Sequence, residues 1–163
     1  MVDLRESYRT SVRPIGPELL DGKELSKLVR LMGEADLPWL RYLCGKKYPE
    51  RFEPDSTAQW YLNIVLKNPM MFLPCRTDNA FLIQMISCLP WFPGEFQCNV
   101  VFICADDGFM WEAVHLCRYG IEWAKRRRCT DWRLNPDGDY DLSALAKRFG
   151  AHEILPRYVM ELK

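Results

Sequence analysis

The chain has 163 residues, 48% of them hydrophobic and 13% aromatic, which suits one domain with a real core and leaves no room for a second. Its 22 lysines and arginines balance 22 acids, so net charge gives no reason to expect nucleic acid or an anionic membrane as partner. Near-neutrality with six tryptophans and eight phenylalanines fits either burial against a protein partner or a second copy, or an aromatic-rich core.

Seven cysteines, at positions 44, 75, 88, 98, 104, 117 and 129, are odd in number and include no Cys-x-x-Cys pair, and no secretory apolar region opens the sequence. This pattern predicts a reduced, cytoplasmic protein whose thiols behave as small apolar residues. Only His115 and His152 are available as imidazole ligands, and neither has metal-ligand spacing, so no metal is expected. No apolar run reaches the about 18 residues that a spanning helix needs, and no membrane segment is expected.

Residues 10–15 (TSVRPI) read as a first strand, ended by Pro14. The spacing of Leu19, Leu20, Leu25, Leu28, Val29 and Met32 predicts a helix over 17–32, with Pro17 at its first position. A shorter helix is expected over 36–43. A third begins with Asp55 or Ser56 as cap, Gln59 completing a capping box, and turns Trp60, Tyr61, Ile64 and Val65 inward before stopping short of Pro69. Apolar runs at 70–74 and 80–87 flank Arg76-Thr77-Asp78-Asn79, which is turn chemistry between two hairpin strands. A proline-rich loop at 89–94 leads to a strand over 96–104, apolar enough at its end to be covered on both faces and to sit at the sheet centre. Residues 109–128 predict a helix of about 30 Å, its buried stripe being Met110, Ala113, Val114, Cys117, Ile121 and Ala124. A strand at 132–134, a helix from Asp141 ended by Gly150, and a strand over 154–162 complete the chain. The order β-α-α-α-β-β-β-α-β-α-β predicts a single α/β domain over 1–163, with a mixed sheet flanked by helices.

Four local sequences, spaced in this order, resemble the GCN5-related N-acetyltransferase family. Val12-Arg13-Pro14 is similar to the end of its first strand. The run from Tyr119 to Cys129, with Trp123-Ala124-Lys125, is similar to the end of its central helix. Ala144 to Ala151 is similar to its last helix, and Tyr158-Val159-Met160-Glu161-Leu162 to a closing strand. Together they span nearly the whole chain and most resemble small acetyltransferase-like proteins of bacteriophages.

The resemblance implies an acyl-coenzyme A lying where the fourth strand splays from the fifth, its pyrophosphate on the start of the central helix, and direct attack of an amine on the thioester. The family's phosphate loop corresponds here to residues 105–113. The cofactor-binding positions it implies are Ile103, Cys104, Ala105, Gly108, Phe109 and Met110, with acetyl-coenzyme A the cofactor if the protein is active. The loop departs from the family pattern. It has one glycine and no arginine or glutamine; Phe109, Met110 and Trp111 are bulky where backbone should approach a ligand; and Asp106 and Asp107 cap the helix and repel phosphate. The catalytic complement is equally thin. Tyr158, or Tyr140, is a candidate to protonate the leaving thiolate, and Glu95, Asp106 or Asp107 to act as base.

Other candidates have simpler explanations. Lys125 to Arg128 complement a helix end, Cys104 has no histidine beside it and reads as buried, and the 135–139 segment reads as a turn without the calcium-loop pattern. His115 lies off the main apolar stripe. The first expectation is therefore a phage-derived protein that keeps the fold, has lost the phosphate loop and acts as a non-catalytic binding or virion-associated component. The alternative is an acetyl-coenzyme A-dependent N-acetyltransferase acting on a primary amine. A third option is an inhibitor of a host protein that binds through the aromatic loop at 90–93.

Overall fold

The computed structural model describes residues 22–50, 52–88, 94–134 and 147–150. Helix α1 (Gly22–Leu28) is followed by strand β1 (Arg30–Leu31), a 3-10 turn (Glu34–Asp36), α2 (Leu37–Lys47) and α3 (Pro54–Trp60), which runs on as a π turn (Tyr61–Val65). Then come β2 (Phe72–Arg76), β3 (Ala80–Cys88), β4 (Phe96–Ala105), α4 (Met110–Arg126) and β5 (Cys129–Leu134). The sheet order is β1-β2-β3-β4-β5, antiparallel except for the parallel pair β4 and β5. The architecture is a mixed α/β domain with helices on both faces. Among the described residues β3, not β4, is the middle strand, and its first four residues are fully buried.

The helix expected over 17–32 ends at Leu28. Arg30 and Leu31 pair with Arg76 and Cys75 at the sheet edge, and the Met32 N–H donates to the Pro74 carbonyl at 3.0 Å. Helical spacing runs through Met32 by coincidence. Leu25 and Val29 pack with α4 on one face of the sheet, whereas Met32 packs with α2 and α3 on the other. One helix could not reach both.

The cap of α3 is also different. Glu53, not Asp55 or Ser56, accepts the free amides, its carboxylate receiving the Ser56 N–H at 2.6 Å and the Asp55 N–H at 3.5 Å, while Pro54 takes a first-turn position where no amide is needed. The π turn that follows inserts an extra residue into the helical count, seen in the Leu66 N–H bonding Tyr61 O at 3.0 Å. Tyr61 and Val65 are buried as expected; Ile64 is turned outward and is 46% exposed.

One core layer joins Leu25 of α1, Val29 just after it, and Leu116, Trp123 and Ala124 of α4 to Leu73, Cys75, Leu82, Cys98 and Val100 of the sheet. The opposite layer joins Leu40, Leu43 and Cys44 of α2 and Tyr61 and Val65 to Phe72, Phe81, Ile83 and Cys104. The period-2 alternation of β2 and β3 thus feeds two helical layers, which is why these strands read as continuous apolar runs. On α4 the buried face differs from the expected stripe. Met110 is 53% exposed, whereas Glu112, His115 and Leu116 are buried.

Helix and sheet come closest at Gly120. Gln84, fully buried in β3, donates through Nε2 to Gly120 O at 2.9 Å and accepts from Trp132 Nε1 of β5 at 3.1 Å. Its amide ties the middle strand, the central helix and the last described strand together. The strand expected over 10–15, the loop 89–93 and the strand 154–162 lie outside the described residues. Of the final helix, Lys147–Gly150 is described: Gly150 has φ +66°, a conformation that favours glycine, and its N–H bonds Lys147 O at 3.0 Å, so it ends the helix as expected.

Candidate functional site

Strands β4 and β5 pair from Phe96 with Cys129 as far as Val100 with Leu134. On its other side β4 continues pairing with β3 to Ala105. The second half of β4, residues 101–105, is therefore bonded to β3 alone among the described strands. A β-bulge sits at this point. Ile83 pairs with Phe102 and Gln84 with Val100, so Val101 is the extra residue, and it is 40% exposed. A bulge bends its strand and increases its twist locally. Gln84, opposite the bulge, holds β5 by accepting from Trp132 Nε1.

Strand β4 leads into the β4–α4 turn. The Asp106 N–H donates to Asn79 O at 2.8 Å and the Phe109 N–H to Asp106 O at 3.0 Å. Gly108 has φ +81°, and a Cβ built on it meets nothing within 4 Å, so the backbone is exposed and open above it. Below the turn, the Glu112 carboxylate is buried and fully engaged. It accepts from the Asn79 N–H at 2.9 Å, from Asn79 Nδ2 at 3.0 Å and from the Thr77 hydroxyl. The β2–β3 turn thereby anchors the first turn of α4.

Neither Asp106 nor Asp107 caps α4, whose N-cap Phe109 makes no side-chain cap hydrogen bond. Their carboxylates turn instead to the end of α2. Lys46 Nζ lies 2.6 Å from Asp106 Oδ1 and 3.5 Å from Asp107 Oδ2, and Lys47 Nζ pairs with Asp107 Oδ1. The hydrogen bond from Lys46, with that from the Asp107 amide, holds the Asp106 carboxyl below the ordinary range, and the bond from Lys47 does the same for Asp107. Both acids are held ionised, and a carboxylate held that way is a poor acceptor for an ammonium proton.

The remaining candidates are spread out. Ile103, Cys104 and Ala105 end β4, where they pair with β3, and Gly108, Phe109 and Met110 follow after the two acids, in the turn and at the start of α4. Glu95 is exposed and precedes β4 at its opposite end, about 20 Å by strand rise from the bulge. Tyr140 and Tyr158 lie outside the described residues. The Cys104 thiol is pushed up to about 12 by burial, further by Asp106 and Asp107 and against the pull of Lys47, so it stays protonated and is no nucleophile. Lys46, Lys47, Asn79 and Glu112 are the site residues that sequence reasoning missed. The only local signal was a pair of lysines ending one helix and a pair of acids opening another, 60 residues apart.

No protein-family model matches the sequence, and no curated protein does either. Solved structures do. A ribosomal-protein-alanine N-acetyltransferase from Brucella melitensis biovar Abortus 2308 superposes with a TM-score of 0.65 at 18% identity, over 82% of this chain and 99% of that one. This is the GCN5-related N-acetyltransferase fold. A glucosamine-6-phosphate N-acetyltransferase from Arabidopsis thaliana superposes with a TM-score of 0.67 at 10% identity, over 83% and 97% of the two chains. A structure described as a transcriptional regulator from Bacillus halodurans C-125 does so with a TM-score of 0.65 at 18% identity, over 80% and 98%. At such identities the acetyltransferase fold is what the chains share, and the range of descriptions fits the rule that function resides in the site.

Proposed function

We propose that this protein uses the acetyltransferase fold for binding and does not carry out acyl transfer. The observation that carries this reading is the lysine-clamped acid pair at the β4–α4 turn. An acyl-coenzyme A would set its pyrophosphate at this turn, where Asp106 and Asp107 stand and the nearest cations already serve them. Met110, 53% exposed, places a large side chain where the loop should present only backbone. The turn does not fit the phosphates of the cofactor. The partner on this reading is another protein, of the virion or of a bacterial host, met in the cytoplasm; the likeness to acetyltransferase-like proteins of phages supports that setting.

A second reading is favoured by the turn itself. Beyond Val100, β4 pairs with β3 alone among the described strands, and the space over Gly108 is open. Acetyl-coenzyme A would then be held along 103–105 and a primary amine would be acetylated, with Tyr158 as the acid toward the thiolate. Among the described residues no carboxylate suited to act as base faces the bulge, which argues for binding over catalysis.

Calorimetric titration with acetyl-coenzyme A and desulfo-coenzyme A separates the two. Binding is expected to be absent at micromolar ligand. A dissociation constant in the micromolar range, about 8 kcal/mol, would reject the binding-only reading and restore the N-acetyltransferase one.

A further inference from the structure

The far end of α4 carries a second charged surface, about 25 Å along the helix from the β4–α4 turn. Lys125, Arg126, Arg127 and Arg128 are consecutive, so four of the chain's 22 cations stand together and the rest of the sequence has four more acids than bases. Lys125 pairs with Glu122 at 2.9 Å, and Arg133 of β5 with Asp131 at 3.1 Å. Arg126 donates to the backbone carbonyl of Glu122, and the Arg127 guanidinium lies over the Trp123 ring at 4.3 Å. Among the described residues none of the three arginines has a carboxylate partner.

A helix C-terminus favours cations, which accounts for Lys125 and Arg126. It does not account for Arg128, which lies past the helix end at φ +58°. The other described residues with positive φ are Gly94, Gly108 and Gly150, and glycine is the ordinary residue where a helix ends this way. An exposed side chain kept in a strained conformation is a reason to look for its use. Beside it stands an aromatic ring. Phe96 pairs with Cys129, the residue after Arg128, its carbonyl accepts from the Thr130 hydroxyl at 3.1 Å, and it is 41% exposed. Glu95, exposed and next to Phe96, is one acid against three arginines.

We propose that Arg126, Arg127 and Arg128, with Phe96, form a docking surface for single-stranded nucleic acid. The guanidinium groups match phosphate oxygens in a planar fork, and the ring takes the face of a base, which any base can offer. A duplex keeps its base faces stacked inside, and an acidic peptide would use the arginines but leave the ring without a partner. Neutrality of the whole chain does not oppose this. Charges farther away than about 8 Å are screened at physiological salt, so a strand in contact meets the cluster and not the total. The surface is separate from the β4–α4 turn, and the inference holds whether or not acyl-coenzyme A binds there.

Fluorescence anisotropy of the full chain with a fluorescein-labelled 12-nucleotide single strand, as RNA and as DNA, tests this, with the matching duplex and a polyglutamate peptide as competitors. A dissociation constant of about 1–100 μM is expected, with log K falling against log salt at a slope of about −2, as three phosphate contacts on a single strand give. Replacing all three arginines by glutamine should weaken binding more than tenfold and flatten the slope. Phe96→Ala should weaken binding several-fold and leave the slope unchanged. Arg128→Gly separates binding from folding: it should raise Tm by relieving the backbone while weakening binding several-fold. The proposal is overturned if the single strand is not bound at 100 μM protein and low salt, if the glutamine variant binds as the parent does, or if duplex or polyglutamate competes better than unlabelled single strand. A fall in Tm on Arg128→Gly would equally overturn it, since the arginine would then be serving the fold. Binding of RNA and not DNA, or the reverse, would support the surface and name its ligand.

Discussion

Two glycine-to-alanine substitutions on helices should have opposite signs. In α4, a Cβ on Gly120 would stand 2.4 Å from Gln84 Oε1 and 2.9 Å from Leu82 Cδ2. Gln84 cannot simply swing aside, because its amide is held by Gly120 O and by Trp132 Nε1. Moving it strands buried polar groups at about 1–3 kcal/mol each, and moving the helix opens the core between α4 and the sheet. Against this, alanine gains about 1 kcal/mol of helix propensity. The net expectation for Gly120→Ala is a loss of about 2–4 kcal/mol, or roughly 5–15 °C in Tm for a chain of this size. In α2, a Cβ on Gly45 would lie 3.6 Å from the Phe52 ring, an ordinary contact, so Gly45→Ala should stabilise by about 0.5–1 kcal/mol. Urea unfolding followed by tryptophan fluorescence and circular dichroism measures both. Combining Gly120→Ala with Gln84→Ala should cost less than the sum of the two, since the clash with the amide disappears and only the approach to Leu82 remains. A neutral or stabilising Gly120→Ala would refute the argument that helix–sheet approach at this glycine is limiting.

Glu112→Ala should destabilise by about 2–4 kcal/mol, because it leaves the Thr77 hydroxyl and the Asn79 amides without their acceptor in a buried place; a change under about 0.5 kcal/mol in urea titration would show that the turn re-pairs with water. Stability should also fall in acid through Asp36. Burial raises its pKa, but hydrogen bonds from Arg30 and the Gly33 N–H, with the charge of Arg76, more than offset this and leave it lowered. A lowered folded pKa gives stability present above the unfolded value and lost as pH falls through the folded one, so Asp36→Asn should flatten the acid limb of a stability–pH curve below about pH 4. Native thiol titration with an aromatic disulfide should label Cys88, the exposed cysteine, first, and reach the buried Cys44, Cys75, Cys98, Cys104 and Cys117 only on unfolding. Burial pushes the thiols of Cys44, Cys98 and Cys117 up to about 12; fast reaction of one of the five would mean that the core opens locally.

Local patterns in the sequence determined the elements that carry their own signals. The hairpin of β2 and β3 is written in two apolar runs around a polar turn, α4 in a long amphipathic repeat, and the strand-to-helix turn in a single glycine between acids and aromatics. What local pattern could not decide was which partner each residue meets. Helical spacing through Met32 was broken by strand pairing at Arg30 and Leu31, since residues 25 and 32 face different layers. Asp106 and Asp107 read as helix caps because that is the nearest use for an acid there, yet both turned to lysines 60 residues earlier in the chain. The bulge at Val101, the parallel pairing of β4 with β5 and the buried bonds of Glu112 depend on contacts between strands and helices that are distant in sequence. Charge, period and turn chemistry act over a few residues; the lysine–aspartate contacts at the β4–α4 turn are made by pairings that exist only once the layers have closed on one another.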